Sequence, residues 1–189
     1  VYKRQVWKSA NERVITGAVG LGRAGWSAQL CRPQDIEARL CPNVLPRLTP
    51  KVAPVGRELR PMAVPLSAEE ATRYAVEQEA DGDPLWFGPN PRIHPAWLAA
   101  RCTPFIHHSY EYGPSIHSRS QIQHLASAHT GPDAGQTIVV GGTFLETFER
   151  KGHHYGIVDC LIRSQDGVDL AHIRHTTIYQ VAKRPSIDG

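Results

Sequence analysis

Few cysteines, a single methionine and no long apolar run mark this 189-residue sequence. The four cysteines, Cys31, Cys41, Cys102 and Cys160, form no C-x-x-C pair and show no zinc-ligand spacing. That pattern predicts reduced thiols, a cytoplasmic setting and no metal site. No apolar stretch approaches the roughly 18 residues that span a bilayer, so no membrane segment is expected. The opening "VYKRQVWKSANERV" is basic but has no apolar core, so no secretory leader is expected. Net charge is only +3, and the charges are spread along the chain. Neither property fits a nucleic-acid-binding protein. "ITGAVGLGRAG" is rich in glycine but lacks dinucleotide-loop spacing and a strand-then-helix frame, so no cofactor is expected.

What is present is a composition for one ordinary domain with a real core, 41% hydrophobic and 21% charged. Residues 1–54 read as an N-terminal arm or linker. The stretch "CRPQDIEARLCPNVLPRLTPKVAPVG" carries five prolines in 26 residues, with room for at most a short helix around Ile36 to Leu40. Order is expected from Val55. "ELRPMAVPL" predicts a first strand. "SAEEATRYAVEQEA" predicts a helix capped by Ser67, with Glu70 completing a capping box. "DGDPLWFGPNPRIHP" is a loop by its Gly, Pro and Asp content. "PAWLAARCTPFIHHSY" predicts a buried helix that Pro95 can open and Pro104 should kink or end.

Beyond Gly113 the pattern turns to strands. "SIHSRSQIQHLASA" alternates, and "QTIVVGGTFLETFER" predicts a long strand with a bulge or bend at its Gly-Gly pair. "HHYGIVDCLIRS" and "VDLAHIRHTTIYQVA" are joined by "SQDGVD", where Asp166-Gly167 signals a hairpin. The order predicts four strands in a meander, the last three being antiparallel neighbours.

Four phrases in this order resemble the MaoC-like hot-dog family of R-hydratases and dehydratases: "VGRELRPMAVPLSAEEATRYA", "DGDPLWFGPNPRIHP", "GPSIHSRSQIQH" followed by "FLETFERKGHHYGIVDCLI", and "AHIRHTTIY". The resemblance implies an α+β hot-dog domain over residues 55–184, a curved antiparallel sheet wrapped around a long central helix. It implies acyl thioesters of coenzyme A or acyl carrier protein as substrates, and reversible hydration of a 2-enoyl thioester to a 3-hydroxyacyl thioester. It also implies a homodimer, or a heteromer with a catalytic hot-dog subunit. A hot-dog thioesterase and a non-catalytic acyl-binding subunit are the alternatives.

The family's hydratase motif reads G-D-x-N-P-[LIV]-H, with Asp and His as the catalytic pair. Gly82-Asp83-Pro84-Leu85-Trp86 matches it with two residues missing and Trp86 in the place of His. Without the gap, Asp81 takes the aspartate's place. Asn90-Pro91-Arg92-Ile93-His94 resembles the motif's second half with one residue inserted, which makes His94 the candidate imidazole. The candidate catalytic residues are therefore Asp83, His94 and Asp81. Against them stand a turn aspartate and a helix-start histidine bonding its own backbone.

Candidate substrate-binding residues lie further on. Strand alternation puts Ile116, Ser118, Ser120, Ile122 and His124 on one face, expected inward, and His117 and Arg119 on the other. Buried, Ser118, Ser120 and His124 would need partners: the polar end of a tunnel, or a satisfied core network. His117 stands near the Gly-Pro corner, where active sites of the resembled family lie. Arg150, Lys151 and His153 are placed to meet coenzyme A phosphates or a carrier surface, or to be ordinary hairpin charges. In the last strand, Ile173, His175, Thr177 and Tyr179 share a face.

Overall fold

The computed structural model describes residues 31–78, 82–87, 91–125 and 135–182, together with the backbone of two N-terminal strands. Those two, β1 (Tyr2–Lys8) and β2 (Val14–Gly20), form an antiparallel pair in which Tyr2 faces Gly20. The proline-rich segment from residue 31 contains no helix, including the stretch from Ile36 to Leu40.

The main sheet begins with β3 (Arg57–Pro65). Pro61 lies in the register shift between Leu59 and Met62, where a missing N–H breaks no ladder bond. Next comes α1 (Ala68–Arg73), opened by Ser67, whose Oγ accepts from the Glu70 N–H at 3.0 Å. The capping box closes on one side only, because the Glu70 carboxylate goes elsewhere. A π-helical turn, Tyr74–Gln78, follows directly.

The predicted long helix is two short ones: α2 (Pro95–Ala99) and α3 (Cys102–His107). Pro104 is the physical cause of the break. Its ring has no N–H to give Ala100, four residues back, and crowds that carbonyl. The chain therefore tightens at Ala100–Arg101, where the Arg101 N–H bonds Leu98 O at 3.1 Å, before α3 restarts with Phe105 N–H to Arg101 O at 3.0 Å. The long central helix of the sequence reading is corrected to this pair.

The remaining strands are β4 (Ile116–His124), β5 (Thr137–Arg150), β6 (His153–Ser164) and β7 (Asp169–Gln180). Five strands form one antiparallel sheet in the order β3-β5-β6-β7-β4. The meander is thus β5-β6-β7, as the hairpin signals require. Gly167 has φ of 85° in the β6–β7 turn, and Ser164 N–H bonds Val168 O. β4 is not part of the meander. It crosses to the far edge and pairs with β7.

The inner face of the sheet covers α2 and α3. Trp97, Cys102, Phe105 and Ile106 are buried with Val140, Phe144, Val158, Ile162 and Ile173. The Gly-Gly pair makes no bulge: Gly141 and Gly142 stay in register with Leu161 and Cys160, and the shift falls between Phe144 and Glu146. The glycines instead admit neighbours on both faces. A Cβ on Gly142 would meet the Asp159 carbonyl and lie 3.0 Å from Phe105 Cε1; one on Gly141 would lie 2.9 Å from Ile36 Cγ2. Gly142 is therefore where α3 touches the sheet, and Gly141 where the N-terminal segment does.

On the outer face Asp159, 1% exposed, takes a two-pronged bond from Arg174, at 2.6 and 2.7 Å, and the Cys31 N–H at 2.9 Å. Arg32 pairs with Asp169, and Gln34 N–H bonds Glu58 at 2.6 Å. Gly142→Ala is expected to lower stability by about 1–3 kcal/mol through overpacking, read as a lower denaturation midpoint in urea at unchanged slope.

Candidate functional site

The loop between α1 and α2 is built from side chains that cap their own turns. Asp83 opens a 3-10 turn, Pro84–Trp86, and its Oδ1 accepts from the Leu85 N–H at 2.9 Å. His94 opens α2 in the same manner, its Nδ1 accepting from the Ala96 N–H at 3.2 Å. Both residues cap their own turns, as a turn aspartate and a helix-start histidine do, and neither is barred from further contacts. An imidazole accepting at Nδ1 carries its proton at Nε2 when neutral, so Nε2 acts as a donor.

Trp86 ties the two caps together. Its ring meets His94 edge-on, centroids 4.9 Å apart, and Tyr74 lies 6.3 Å from the same imidazole. Thr72 Oγ1 donates to Trp86 O at 3.0 Å, and the Arg92 N–H bonds Leu85 O at 2.9 Å. The indole is buried, with its Nε1–H unpartnered. Below this, Glu70 accepts from Trp97 Nε1 at 3.2 Å, while the Arg101 guanidinium sits 4.3 Å over the Trp97 ring. Asp81 lies outside the described residues.

A second cluster stands on β4 and β7. Ser120 Oγ lies 2.9 Å from His117 Nε2 and 3.2 Å from His175 Nδ1. The two imidazoles are 4.8 Å apart, ring to ring. A β-bulge makes the cluster. Register with β7 shifts between His117 and Arg119, so that His117 faces Thr177 and Ser120 faces His175. The extra residue, Ser118, flips the alternation. His117 therefore shares the inner face with Ser120, Ile122 and His124, and Ile116, opposite Ile178, does not. This corrects the expected faces at His117, Ser118 and Ile116. It also corrects the expected burial: Ser118 and His124 are exposed and Ser120 is half-buried; His117 is exposed as well. β4 is an edge strand.

His175 is 2% exposed. Burial, with the neighbouring His117, pushes its pKa down from 6.5 to about 4. Its Nε2 is buried without a partner.

Arg150 and Lys151 are exposed at the β5–β6 turn, where Lys151 and Gly152 have φ of 54° and 75°. Both central residues are left-handed, as a two-residue primed hairpin needs. His153 is spent locally: its Nδ1 accepts from the Ala182 N–H at 3.0 Å. Among the described residues, no group of three His, Cys, Asp or Glu is placed to hold a metal. No helix there is long and apolar enough to cross a membrane.

The candidates thus fall into three places: Asp83 and His94 around Trp86; His117 and Ser120 on the β4 edge, with Ser118 and His124 beside them; Arg150, Lys151 and His153 at a hairpin tip. Two residues outside the candidate list belong with them. His175 was placed inward by alternation alone; its partners depended on the bulge. Trp86 was visible only as a departure from the motif.

No protein-family model matches the chain, and no curated protein matches it in sequence. Solved structures do. An (R)-hydratase from A. caviae involved in PHA biosynthesis aligns at 16% identity over 66% of this chain and 95% of its own, with a TM-score of 0.54. The HadBC (3R)-hydroxyacyl-ACP dehydratase complex of Mycobacterium tuberculosis aligns at 13% identity over 68% and 98%, with a TM-score of 0.54. A MaoC-like dehydratase from Rhodospirillum rubrum aligns at 15% identity over 73% and 99%, with a TM-score of 0.51. The fold is the hot-dog fold of MaoC-like proteins, with its helix in two pieces.

The lowered His175 pKa carries a stability consequence. The unfolded chain takes up a proton at His175 as pH falls through 6.5, and the folded chain resists until about 4. The stabilisation is complete above pH 6.5 and lost on the way down to 4, by up to about 3 kcal/mol. Denaturation midpoints across that window should fall more steeply in the parent chain than in His175→Gln.

Proposed function

We propose that this chain acts on acyl thioesters as a hydratase or dehydratase, interconverting 2-enoyl and 3-hydroxyacyl groups carried on coenzyme A or acyl carrier protein. The observation that carries the reading is the hot-dog sheet with an Asp/His-bearing loop directly before its inner helix. The fold's likeness to an (R)-hydratase and to a hydroxyacyl-ACP dehydratase supports it.

Hydration needs a base to take a proton from water as its oxygen adds to C3, and an acid to deliver one to C2. It also needs a donor for the thioester oxygen as charge builds there. In this reading the Asp83 carboxylate, or Asp81 in its place, takes the proton from the water and returns one to C2, and His94, through its Nε2–H, holds the water oxygen in place as a donor. The polar wall of His117, Ser120 and His124, with Ser118 beside them, borders the acyl thioester, Ser120 half-buried and the others exposed. Arg150 and Lys151, with His153 beside them, meet the phosphates of the carrier. The exposed inner face of β4 is the side on which a second hot-dog unit completes the slot, giving a homodimer in the cytoplasm.

One observation favours a second reading. Trp86 occupies the place of the motif histidine and is packed into the loop. A non-catalytic subunit, binding the acyl thioester beside a catalytic hot-dog partner, fits that substitution. Two of the structural neighbours, HadBC and ChsH1-ChsH2 of Mycobacterium tuberculosis, are described as complexes.

The assay is loss of the enoyl-thioester absorbance on adding the purified chain to 2-enoyl-CoA of short and long chain length. Turnover is expected, with His94→Ala lowering kcat/KM by about 10²–10⁴-fold. Asp83→Asn should lose activity with stability unchanged, because the asparagine side-chain oxygen caps the turn as the aspartate does. Folded protein that turns over none of these substrates rejects the catalytic reading; acyl-CoA binding without turnover then selects the subunit.

A further inference from the structure

The His117–Ser120–His175 cluster has a chemistry that thioester hydration does not use. A serine hydroxyl is held between two imidazoles, one buried and one open to solvent. The direction of its hydrogen bonds follows from His175. That ring is neutral at pH 7, so it carries one N–H. On Nε2, the hydrogen would be an orphaned donor in the core, because Nε2 has no partner. A buried N–H without an acceptor is the rarer and costlier defect. The proton therefore sits on Nδ1 and is donated to Ser120 Oγ across 3.2 Å. With Oγ accepting from His175, the serine's own hydrogen is available to His117 Nε2 at 2.9 Å, the distance of a nucleophile from its general base.

We propose that Ser120, activated by His117, is an acyl-accepting nucleophile for activated esters and thioesters. Oγ attacks the carbonyl carbon, and its proton passes to His117 Nε2. The new Oγ–C bond forms, the C–S bond breaks, and His117 returns the proton to the leaving thiolate. A water then takes the thiol's place and, with His117 again as base, releases the acid. No oxidant or cofactor enters the balance. His175 is a positioning residue, holding Oγ in orientation. The inference needs only an activated acyl donor, so it stands if enoyl hydration fails.

The test treats the full chain with p-nitrophenyl acetate and, separately, with acetyl-CoA, quenches in acid, and maps acetyl groups by peptide mass. A single acetyl on Ser120 is expected. It should vanish in Ser120→Ala, persist as a thioester in Ser120→Cys, and form about 10²–10³-fold more slowly in His117→Ala. His175→Asn should slow labelling less and move its pH profile. No acetyl on Ser120 of the parent chain, or acetyl found on His117 instead, overturns the proposal whatever the variants do.

Discussion

The packing of a broken helix into a bare spot on the sheet governs the rest of this molecule. Phe105 of α3 approaches β5 at Gly142, where any side chain would collide. That contact brings Trp97, Cys102 and Ile106 against the inner residues of β5, β6 and β7. Burial of these large apolar side chains stabilises the fold by roughly 1.5–3 kcal/mol apiece. It also sets where α2 begins, and α2's first cap is His94. The loop holding Asp83 is drawn in by the same contact, through Trp86 against His94 and Thr72 against the Trp86 carbonyl.

The outer face is organised differently. There the proline-rich segment lies along the sheet, with Ile36 and Pro33 at Gly141 and hydrogen bonds to Asp159 and Glu58. Asp159 is the centre of it: a nearly inaccessible carboxylate shared by Arg174 and the Cys31 amide. A buried carboxylate stripped of its partners costs several kcal/mol, so the segment and the strand hold each other in register. Composition announced an irregular arm here, and the chain is irregular, yet it is tied down by bonds to Asp159, Glu58 and Asp169.

Two polar clusters flank the inner layer, and they differ in kind. Around Trp86 the ionisable atoms are engaged with their own backbone, and the chemistry proposed for His94 rests on its second nitrogen. On the β4 edge the polar atoms face one another across two strands, with a serine between imidazoles of opposite exposure. The first belongs to a loop and takes its form from local capping. The second belongs to a sheet and exists only because β4 and β7 are neighbours.

Signals of short range were legible in the residues themselves. Ser67 as a cap, Pro104 as a break, Asp166-Gly167 as a turn and the three-stranded meander all follow from chemistry within a few positions of each other. The family likeness came from the order of such signals. The pairing of β4 with β7, the extra residue at Ser118, and the use of Gly141 and Gly142 for close approach depend on partners distant in sequence. One bulge reverses every face beyond it, so alternation read along β4 misplaced His117 while placing Ser120 correctly. Local conformation is a property of neighbouring residues; which side chains meet across a sheet is a property of the register, and only the folded chain decides that.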